Sequence, residues 1–322
     1  ARILKGPYLQ SPNEHSMRVM VEVDAAPHVA RVQWGTTEQF GFEAGMSFWQ
    51  DALFEEASPA AWMGSALIAG LLADTRYHYC IEVDGHRVCA SFTTAPEPLS
   101  HAPFSFVKYG YTQSFEPDGH ALVVSRILEQ DLAPHFLVHT GDLTESGDDA
   151  ALWQAFFDIE RDLLAIAPLF PAIGNHDLWT QGNIASGNDS GGRWFDRWWW
   201  SPVGRNYAFT YGNAAFLTLS TEEDLAHSPR IDWIVATLDG FQAAGYDFIF
   251  VSMHRSLYTF SMDSAPDRDL LAAVLREHGV DAVLAGHSHL YEHFLVDGVH
   301  HLVVGRAGGW PTAPDWNYDP AL

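Results

Sequence analysis

The sequence predicts an α/β domain preceded by a small all-β sandwich. In the N-terminal part, short runs of alternating apolar and polar residues recur at even spacing, the pattern of an antiparallel β module. Beyond it, apolar runs of strand length alternate with segments whose apolar residues recur at helical spacing. This alternation implies crossover connections and a largely parallel interior sheet. A length of 322 residues suits two such domains.

The β module is predicted over residues 1–98. Residues 17–23 alternate between apolar and polar side chains, and residues 29–34 form a second short run. Residues 95–100, Ala-Pro-Glu-Pro-Leu-Ser, then indicate a linker, because two prolines hold the backbone extended and remove two hydrogen-bond donors. The second domain is therefore predicted over residues 103–322.

A hairpin closes the β module. Asp84 and Gly85 form a pair that favours a tight two-residue turn. Such a turn places Cys80 opposite Cys89, and facing residues of antiparallel strands come close enough for a disulfide. We expect this disulfide, and with it an oxidising compartment. The alternative is a pair of small buried thiols.

The second domain contains both strand-like and helical segments. Buried strands are predicted at residues 104–110, 135–140, 169–174, 248–252 and 282–285. Helical spacing is found at residues 121–132 and 153–164, and residues 207–220 indicate an appended hairpin.

The chain is strongly acidic, with a formal charge of -24, and its only lysines are Lys5 and Lys108. A nucleic-acid duplex needs a basic stripe that displaces counterions, so the composition argues against such a partner. No apolar run approaches the roughly 18 residues that span a bilayer. The start of the chain lacks a signal-peptide pattern, although a mature secreted protein would have lost one.

Four short polar motifs each follow an apolar run directly. They are Gly141-Asp142, Gly174-Asn175-His176-Asp177, Ser252-Met253-His254 and Gly286-His287-Ser288-His289. Open α/β sheets bind ligands at the carboxyl ends of their strands, so these motifs are expected to converge at one sheet edge. Singly, each is more typical of a turn, a helix cap or a hydrogen-bonded core histidine. Together and in this order they indicate a two-metal phosphoesterase site with iron, zinc or manganese.

The sequence closely resembles the calcineurin-like metallophosphoesterases, and among them the purple acid phosphatase group with its N-terminal fibronectin type III-like domain. The resemblance rests on the four motifs, on the opening Lys5-Gly6-Pro7-Tyr8-Leu9-Gln10 and on the stretch Tyr77-His78-Tyr79. It covers nearly the whole chain. It implies a four-layer α/β/β/α sandwich after the β-sandwich domain, and hydrolysis of phosphate mono- or diesters by a metal-held hydroxide.

The resemblance also implies a role for each matched residue. Asp142 would bridge two metal ions, and His289 would bind the first of them. The implied ligands of the second metal are Asn175, His254 and His287. His176 would contact the phosphoryl oxygens or protonate the leaving group.

The chain departs from the family pattern at the first metal. Family members begin the series with an aspartate where this chain has Tyr111, and many have a histidine where it has Gln113. Purple acid phosphatases also take a tyrosinate from the position of Glu145. The first metal therefore keeps two matched ligands, Asp142 and His289, and the second site is better provided.

Three explanations of Tyr111 stay open. The phenol could ligate as a phenolate, because a trivalent iron would lower its pKa from about 10. The first site could instead be weak or empty, which would leave a mononuclear enzyme or a metal- or ligand-binding pseudo-phosphatase. Tyr111 could also replace an original aspartate. Glu145 is either a compensating ligand or a solvated acid.

Aromatic residues near the motifs favour a pocket for an organic leaving group. Residues 191–200 are very aromatic, and at least one of three consecutive tryptophans is expected at a surface or cleft. Candidates for a pocket wall or a phosphoryl contact are Trp179, Arg193, Arg255, Tyr258 and Trp310. We expect a small-molecule phosphate ester with an aromatic or nucleotide group, no nucleic-acid duplex and no membrane span, in a secreted or periplasmic setting.

Overall fold

The computed structural model describes residues 1–50, 61–113, 117–179, 192–199, 204–261, 264–308 and 313–314. These residues form two compact units. The first unit comprises Ala1–Phe106, Val124–Leu137 and Ala150–Leu169. The second comprises Val107–Val123, Val138–Asp149 and Phe170–Leu322. The predicted boundary between residues 98 and 103 stays a prediction.

The N-terminal part of the chain forms two four-stranded sheets of antiparallel strands, in the orders β1-β2-β6-β5 and β4-β3-β7-β8. The strands are β1 Ile3–Gln10, β2 Ser16–Val23, β3 Ala30–Gly35, β4 Phe42–Gly45, β5 Ser47–Trp49, β6 Trp62–Ala69, β7 Arg76–Val83 and β8 His86–Thr93. Alternation predicted β2 correctly, because Met17, Val19, Val21 and Val23 all enter the hydrophobic core of this part. Each such aliphatic side chain stabilises the fold by about 1.5–3 kcal/mol.

The β7–β8 hairpin confirms the predicted disulfide. Asp84 and Gly85 both have positive φ, 44° and 85°, as a type I′ turn requires. Cys80 pairs with Cys89 across the ladder, and their sulfur atoms are bonded. The turn chemistry therefore sets the register that brings the two cysteines together.

A long amphipathic helix, α2 Ala150–Leu164, belongs to the first unit. Its buried face carries large aromatic residues, among them Phe157, whose ring lies 5.3 Å from that of Tyr8. The Tyr79 hydroxyl donates to the carbonyl of Ala165 just beyond the helix, at 2.8 Å. The helix is thus tied to the β strands by both packing and a hydrogen bond.

The rest of the chain is a mixed α/β structure, which confirms the predicted fold class. Its sheets have the strand orders β11-β10-β9 and β12-β13-β14-β15-β17-β16. The strands are β9 Phe106–Tyr109, β10 Phe136–His139, β11 Leu169–Pro171, β12 Tyr207–Tyr211, β13 Ala214–Leu219, β14 Phe248–Met253, β15 Ala282–Ala285, β16 Tyr291–Val296 and β17 Val299–Val304. The helices are α1 Pro117–Leu128, α3 Asn175–Leu178, α4 Gly192–Trp198, α5 Arg230–Ala244 and α6 Arg268–Glu277.

The six-stranded sheet positions two of the polar motifs. Its four inner strands, β13, β14, β15 and β17, are parallel, and its edge strands β12 and β16 are antiparallel. Strand β14 ends at Met253 directly before His254, and β15 ends at Ala285 before Gly286 and His287. Both histidines therefore stand at the carboxyl ends of parallel strands. In the described part of the chain, no helix is long and apolar enough to cross a membrane.

The two lysines of the chain are internal. Lys5 is 7% exposed, and its Nζ lies 2.5 Å from a carboxylate oxygen of Glu22. The amine of Lys108 donates to the carbonyls of Ala285 and Val304, at the ends of β15 and β17. Burial lowers the pKa of Lys108 well below its usual range.

Candidate metal centre

The chain leaves its strands in a left-handed backbone conformation at three positions of the site. Tyr111, Asp142 and His287 have φ values of 61°, 56° and 64°. Aspartate enters this region readily, whereas a bulky aromatic residue such as tyrosine rarely does. The peptide N–H of Tyr111 donates to the Gly141 carbonyl at 3.1 Å, which joins the loops after β9 and β10.

Four donor atoms converge on one point at these strand ends. His254 Nε2 lies 3.0 Å from Asn175 Oδ1, 3.3 Å from Asp142 Oδ2 and 3.2 Å from His287 Nδ1. All four side chains are buried. Donor atoms of Asp142, His254 and His287 all lie within 4.8 Å of one another, a spacing that suits a metal ion.

The surrounding backbone fits this cluster closely. His254 Nδ1 lies 2.7 Å from the Thr140 carbonyl and donates its proton there, so its Nε2 lone pair faces the other donors. A Cβ at Gly174 would lie 2.3 Å from Asp142 Oδ1, and one at Gly141 would lie 2.5 Å from His254 Nδ1. Glycine at both positions is therefore needed for space.

The charges of the cluster suit a cation. Although burial opposes ionisation, His254 holds the pKa of the Asp142 carboxyl well below its usual range. Burial lowers the pKa of His254, but the Asp142 carboxylate outweighs it and raises that pKa. Burial, together with His254 and Arg255, lowers the pKa of His287 to about 2. The site thus offers an ionised carboxylate and a neutral imidazole, both competent to bind a metal.

Asp177 belongs to the second motif, but its structural role in the site was not predicted from the sequence. Its carboxylate accepts backbone N–H bonds from Asp142 at 2.9 Å, Leu143 at 2.8 Å, Thr144 at 3.2 Å and Gly174 at 2.9 Å. Burial and the Asp142 charge raise its pKa to about 7, against the lowering effect of the N–H donors. Asp177 thereby holds two of the polar motifs together. Its place as the third residue of α3 is a sequence signal for such a role.

Arg255 approaches the site from the side of His287. It pairs with Glu222 through two bonds, of 2.7 and 3.1 Å, and its Nη1 lies 3.0 Å from His287 Nε2. No sequence signal marked Glu222, because it lies far from Arg255 in the chain. The arginine is therefore oriented by a carboxylate beside a candidate metal ligand.

His176 lies beside the cluster and is half-buried. Its peptide N–H donates to Asp142 Oδ1 at 3.0 Å, and its Nδ1 lies 3.0 Å from the Glu145 carbonyl. The ring packs on Trp179 with centroids 3.6 Å apart. The Glu145 carboxylate is 3.7 Å from the same Nδ1, so it faces His176. Burial raises the pKa of Glu145.

Tyr111 and His289 form a second, adjoining pair. Their ring centroids are 3.7 Å apart, and Tyr111 is 7% exposed. The Gln113 side chain hydrogen-bonds to the Tyr111 phenol, and the Oε1 of that amide is buried with no hydrogen-bond partner in the described part of the chain. Burial raises the pKa of Tyr111, and the Asp142 and Glu145 charges add to this. The phenol is therefore neutral in these surroundings.

The predicted substrate residues lie in several places. Arg193 is exposed on α4, where Trp194 stacks on Trp198 at 5.0 Å. Tyr258 packs edge-on against His301, with centroids 4.7 Å apart. Among the three consecutive tryptophans, Trp198 and Trp199 are buried, at 0% and 6% exposure. Trp200 and Trp310 lie outside the described residues. The substrate roles stay predictions.

Comparisons with known proteins show the family of this chain. The family model of the calcineurin-like phosphoesterases matches residues 117–291, more than half of the chain. Purple acid phosphatase 21 of Arabidopsis thaliana is 25% identical over 236 residues, which are 70% of this chain. The match covers 52% of that relative, so the chain spans about half the length of the curated relative.

Two solved structures share the fold. Purple acid phosphatase PPD1 from yellow lupin (Lupinus luteus) seeds superposes with a TM-score of 0.81 at 18% identity, over 96% of this chain and 65% of that chain. A structure of PhoD gives a TM-score of 0.68 at 12% identity, over 93% of this chain and 76% of that chain. With a matching family model over more than half of its length, this chain belongs to the calcineurin-like phosphoesterase family.

Proposed function

We propose that this chain hydrolyses phosphate esters with a metal ion held by Asp142, Asn175, His254 and His287. The observation that carries the proposal is the convergence of these four buried donors around His254 Nε2. Membership of the calcineurin-like phosphoesterase family supports it. The curated relative is a purple acid phosphatase, but the match covers only 52% of its length, so its activity is proposed for this chain and not taken as shown.

The donor set suits the metals that hydrolyse phosphate esters. One carboxylate, one amide oxygen and two imidazoles match iron, zinc or manganese rather than calcium. When bound, such an ion supplies Lewis acidity and lowers the pKa of coordinated water. The protein contributes preorganisation, because Asp177 fixes the loop of Asp142 and the Thr140 carbonyl fixes the His254 ring.

His176 is proposed to hold the proton for the leaving group. Its Nδ1 donates to the Glu145 carbonyl, which leaves Nε2 to exchange a proton with the substrate. The Glu145 carboxylate stabilises the protonated ring, and the Trp179 ring restricts its rotation. General acid catalysis of this kind contributes about 10²–10⁴-fold to the rate.

The first metal site is proposed to be weak. The Tyr111 ring packs on His289 and stands where family members supply an aspartate. Its phenol bonds to Gln113, and burial raises its pKa, so the surroundings oppose loss of the phenol proton to a cation. A weak site could still form from Asp142, His289 and the Gln113 amide oxygen, which has no hydrogen-bond partner among the described residues.

The proposed substrate is a small phosphate mono- or diester with an aromatic or nucleotide group. Trp179 beside His176 supplies one aromatic wall, and Arg193 and Tyr258 are kept as candidate contacts. The β domain is proposed to be fibronectin type III-like. A secreted or periplasmic protein is proposed from the Cys80–Cys89 disulfide, since such bonds persist in oxidising compartments.

Metal analysis combined with turnover of an aryl phosphate and a bis-aryl phosphodiester tests this function. We expect about one tightly held metal ion at this centre and hydrolysis of at least one ester. Loss of the His254 ligand in His254→Gln should remove both, whereas His176→Asn should keep the metal and lower kcat by about 100-fold or more. His86→Gln, at an exposed position of β8, is the matched control.

The rival function is a metal-binding protein that has lost turnover. The packing of Tyr111 on His289 favours it, because that packing would weaken the first metal site. A metal lost in His254→Gln without hydrolysis of either ester by the parent chain would establish the rival. Hydrolysis that is unchanged in His254→Gln would reject both functions for this site.

A further inference from the structure

A second group of metal-binding side chains lies in the first unit. Glu14 and His15 belong to the loop between β1 and β2, and Glu97 follows β8 in the Pro-Glu-Pro segment. One donor atom of each residue lies within 4.8 Å of the other two. Nothing in the proposed phosphoesterase function uses these three residues.

The His15 ring is held in one orientation by its neighbours. Its Nδ1 lies 3.1 Å from the Leu71 carbonyl and donates its proton there. A backbone hydrogen bond joins the same two residues, because the Leu71 N–H donates to the His15 carbonyl at 3.0 Å. The His15 N–H donates to Asn13 Oδ1 at 2.8 Å. Nε2 is therefore the nitrogen with a free lone pair, as in metal-binding histidines whose other nitrogen bonds a carbonyl.

The distance from His15 Nε2 to Glu97 Oε1 is 3.6 Å. This exceeds the range of an N–H···O hydrogen bond, about 2.7–3.2 Å. Two donors on one tetrahedral zinc, each about 2.0–2.1 Å from the metal, lie about 3.4 Å apart. The observed separation thus suits a shared cation better than a direct bond. The charge of -24 on the chain adds a general attraction for cations.

We propose that Glu14, His15 and Glu97 bind a zinc ion, with water as the fourth ligand. One imidazole and two carboxylates form a donor set that zinc accepts, and water completes its tetrahedral coordination. The ion joins the β1–β2 loop to the segment that follows β8. One backbone bond already joins these parts, from Ala95 N–H to the Asn13 carbonyl at 3.4 Å. Zinc would fix the path of the chain as it leaves the β strands.

Zinc binding to the full-length, metal-stripped chain tests this site. His15→Ala and Glu97→Gln should each bind about one zinc ion fewer per chain at micromolar free zinc, or bind it about tenfold or more weakly. His86→Ala, at an exposed position of β8, should match the parent chain. His254→Gln should lose the zinc of the catalytic centre and keep this one, which separates the two sites. Zinc counts that are equal in His15→Ala, Glu97→Gln and the parent chain would overturn the proposal.

Proteolysis gives a second measurement that identifies the segment. Zinc should slow cleavage between residues 95 and 100 in the parent chain and in His254→Gln. It should not slow cleavage in His15→Ala. Because His15 and Glu97 are exposed, neither substitution removes core packing. Equal zinc protection of this segment in the parent chain and in His15→Ala would contradict the site.

Discussion

Asp177 binds no metal in the proposed function, yet it organises the residues that do. Its two carboxylate oxygens accept four backbone N–H groups in two motif loops. A buried donor that loses its acceptor costs about 1–3 kcal/mol. The geometry of the metal centre therefore depends on a side chain outside the ligand set.

Replacing this carboxylate should destabilise the protein and its metal site together. Asp177→Asn places an N–H₂ group against two of the four backbone donors. We expect a loss of about 2–4 kcal/mol in the free energy of unfolding, measured by urea denaturation, and weaker metal binding. Asp162→Asn, at an exposed position of α2, is the control. A change below about 0.5 kcal/mol, typical of surface positions, would show that the four bonds are dispensable.

Tyr111 should decide how many metal ions the chain holds. Tyr111→Asp introduces a carboxylate beside Asp142 and His289, at a φ of 61° that aspartate adopts readily. We expect the metal content of the catalytic centre to rise from about one to about two ions. Tyr111→Phe should leave it at about one, and no colour should be lost. A charge-transfer colour that disappears in Tyr111→Phe would instead establish a phenolate ligand.

The sequence predicted the candidate ligands better than the residues that orient them. Strand-end placement predicted that five side chains would converge, because parallel strands end at a common edge. Four of them do so around His254 Nε2, whereas His289 packs on Tyr111. The five are Asp142, Asn175, His254, His287 and His289. The contacts of Glu222 and of the Thr140 carbonyl depend on packing between distant parts of the chain. Such contacts leave no local pattern. The pairing of Tyr111 with His289 was equally invisible in the sequence.

Strand β17 carries a buried histidine that should make stability depend on pH. His301 is 4% exposed, and its Nδ1 has no hydrogen-bond partner among the described residues. Burial, together with His300, lowers its pKa to about 4. The unfolded chain takes up a proton near pH 6.5, whereas the folded chain does so only near its lowered pKa. Stability is therefore full above pH 6.5 and falls as the pH drops.

The expected loss at His301 is about 3 kcal/mol between pH 7 and pH 4. His301→Gln removes the titrating group, so its free energy of unfolding should fall less over this range. Metal-free protein unfolded in urea at several pH values provides the comparison. His86→Gln, at an exposed histidine of β8, is the matched control. Parallel pH profiles for the parent chain and His301→Gln would contradict the assignment.

The hydrophobic pattern predicted where strands lie along the chain, but it did not predict the residues at which every strand begins and ends. The strand at 282–285 was predicted as it stands, because a short apolar run is bounded on both sides. The run at 104–110 shortened to Phe106–Tyr109, because Gly110 and Tyr111 already belong to the turn of the site. Apolar residues next to a buried site look like strand in the sequence. Gly110 and Tyr111 leave the strand because of the packing of the site, which a local sequence pattern does not show.

Across the whole molecule, positive charge at the surface comes from arginine. Lys5 pairs with Glu22, and Lys108 donates to two carbonyls, so both amines are engaged internally. An amine-acylating reagent should leave both lysines unmodified in the native protein and modify both after unfolding. Peptide mass mapping measures this. Rapid acylation of Lys108 in the native state would show that its two carbonyl contacts open readily.

The backbone conformation at residue 111 affects which mutations this position can accept. Tyrosine and aspartate codons differ by a single base, so the present chain and one with a carboxylate at that position are neighbours in mutational space. The left-handed turn at Tyr111 already has a shape that aspartate tolerates more easily than tyrosine does. A lineage could therefore pass between the two states in one step, without remodelling the loop. If Tyr111→Asp adds a metal ion as expected, one base change would alter the number of metal ions that the chain binds.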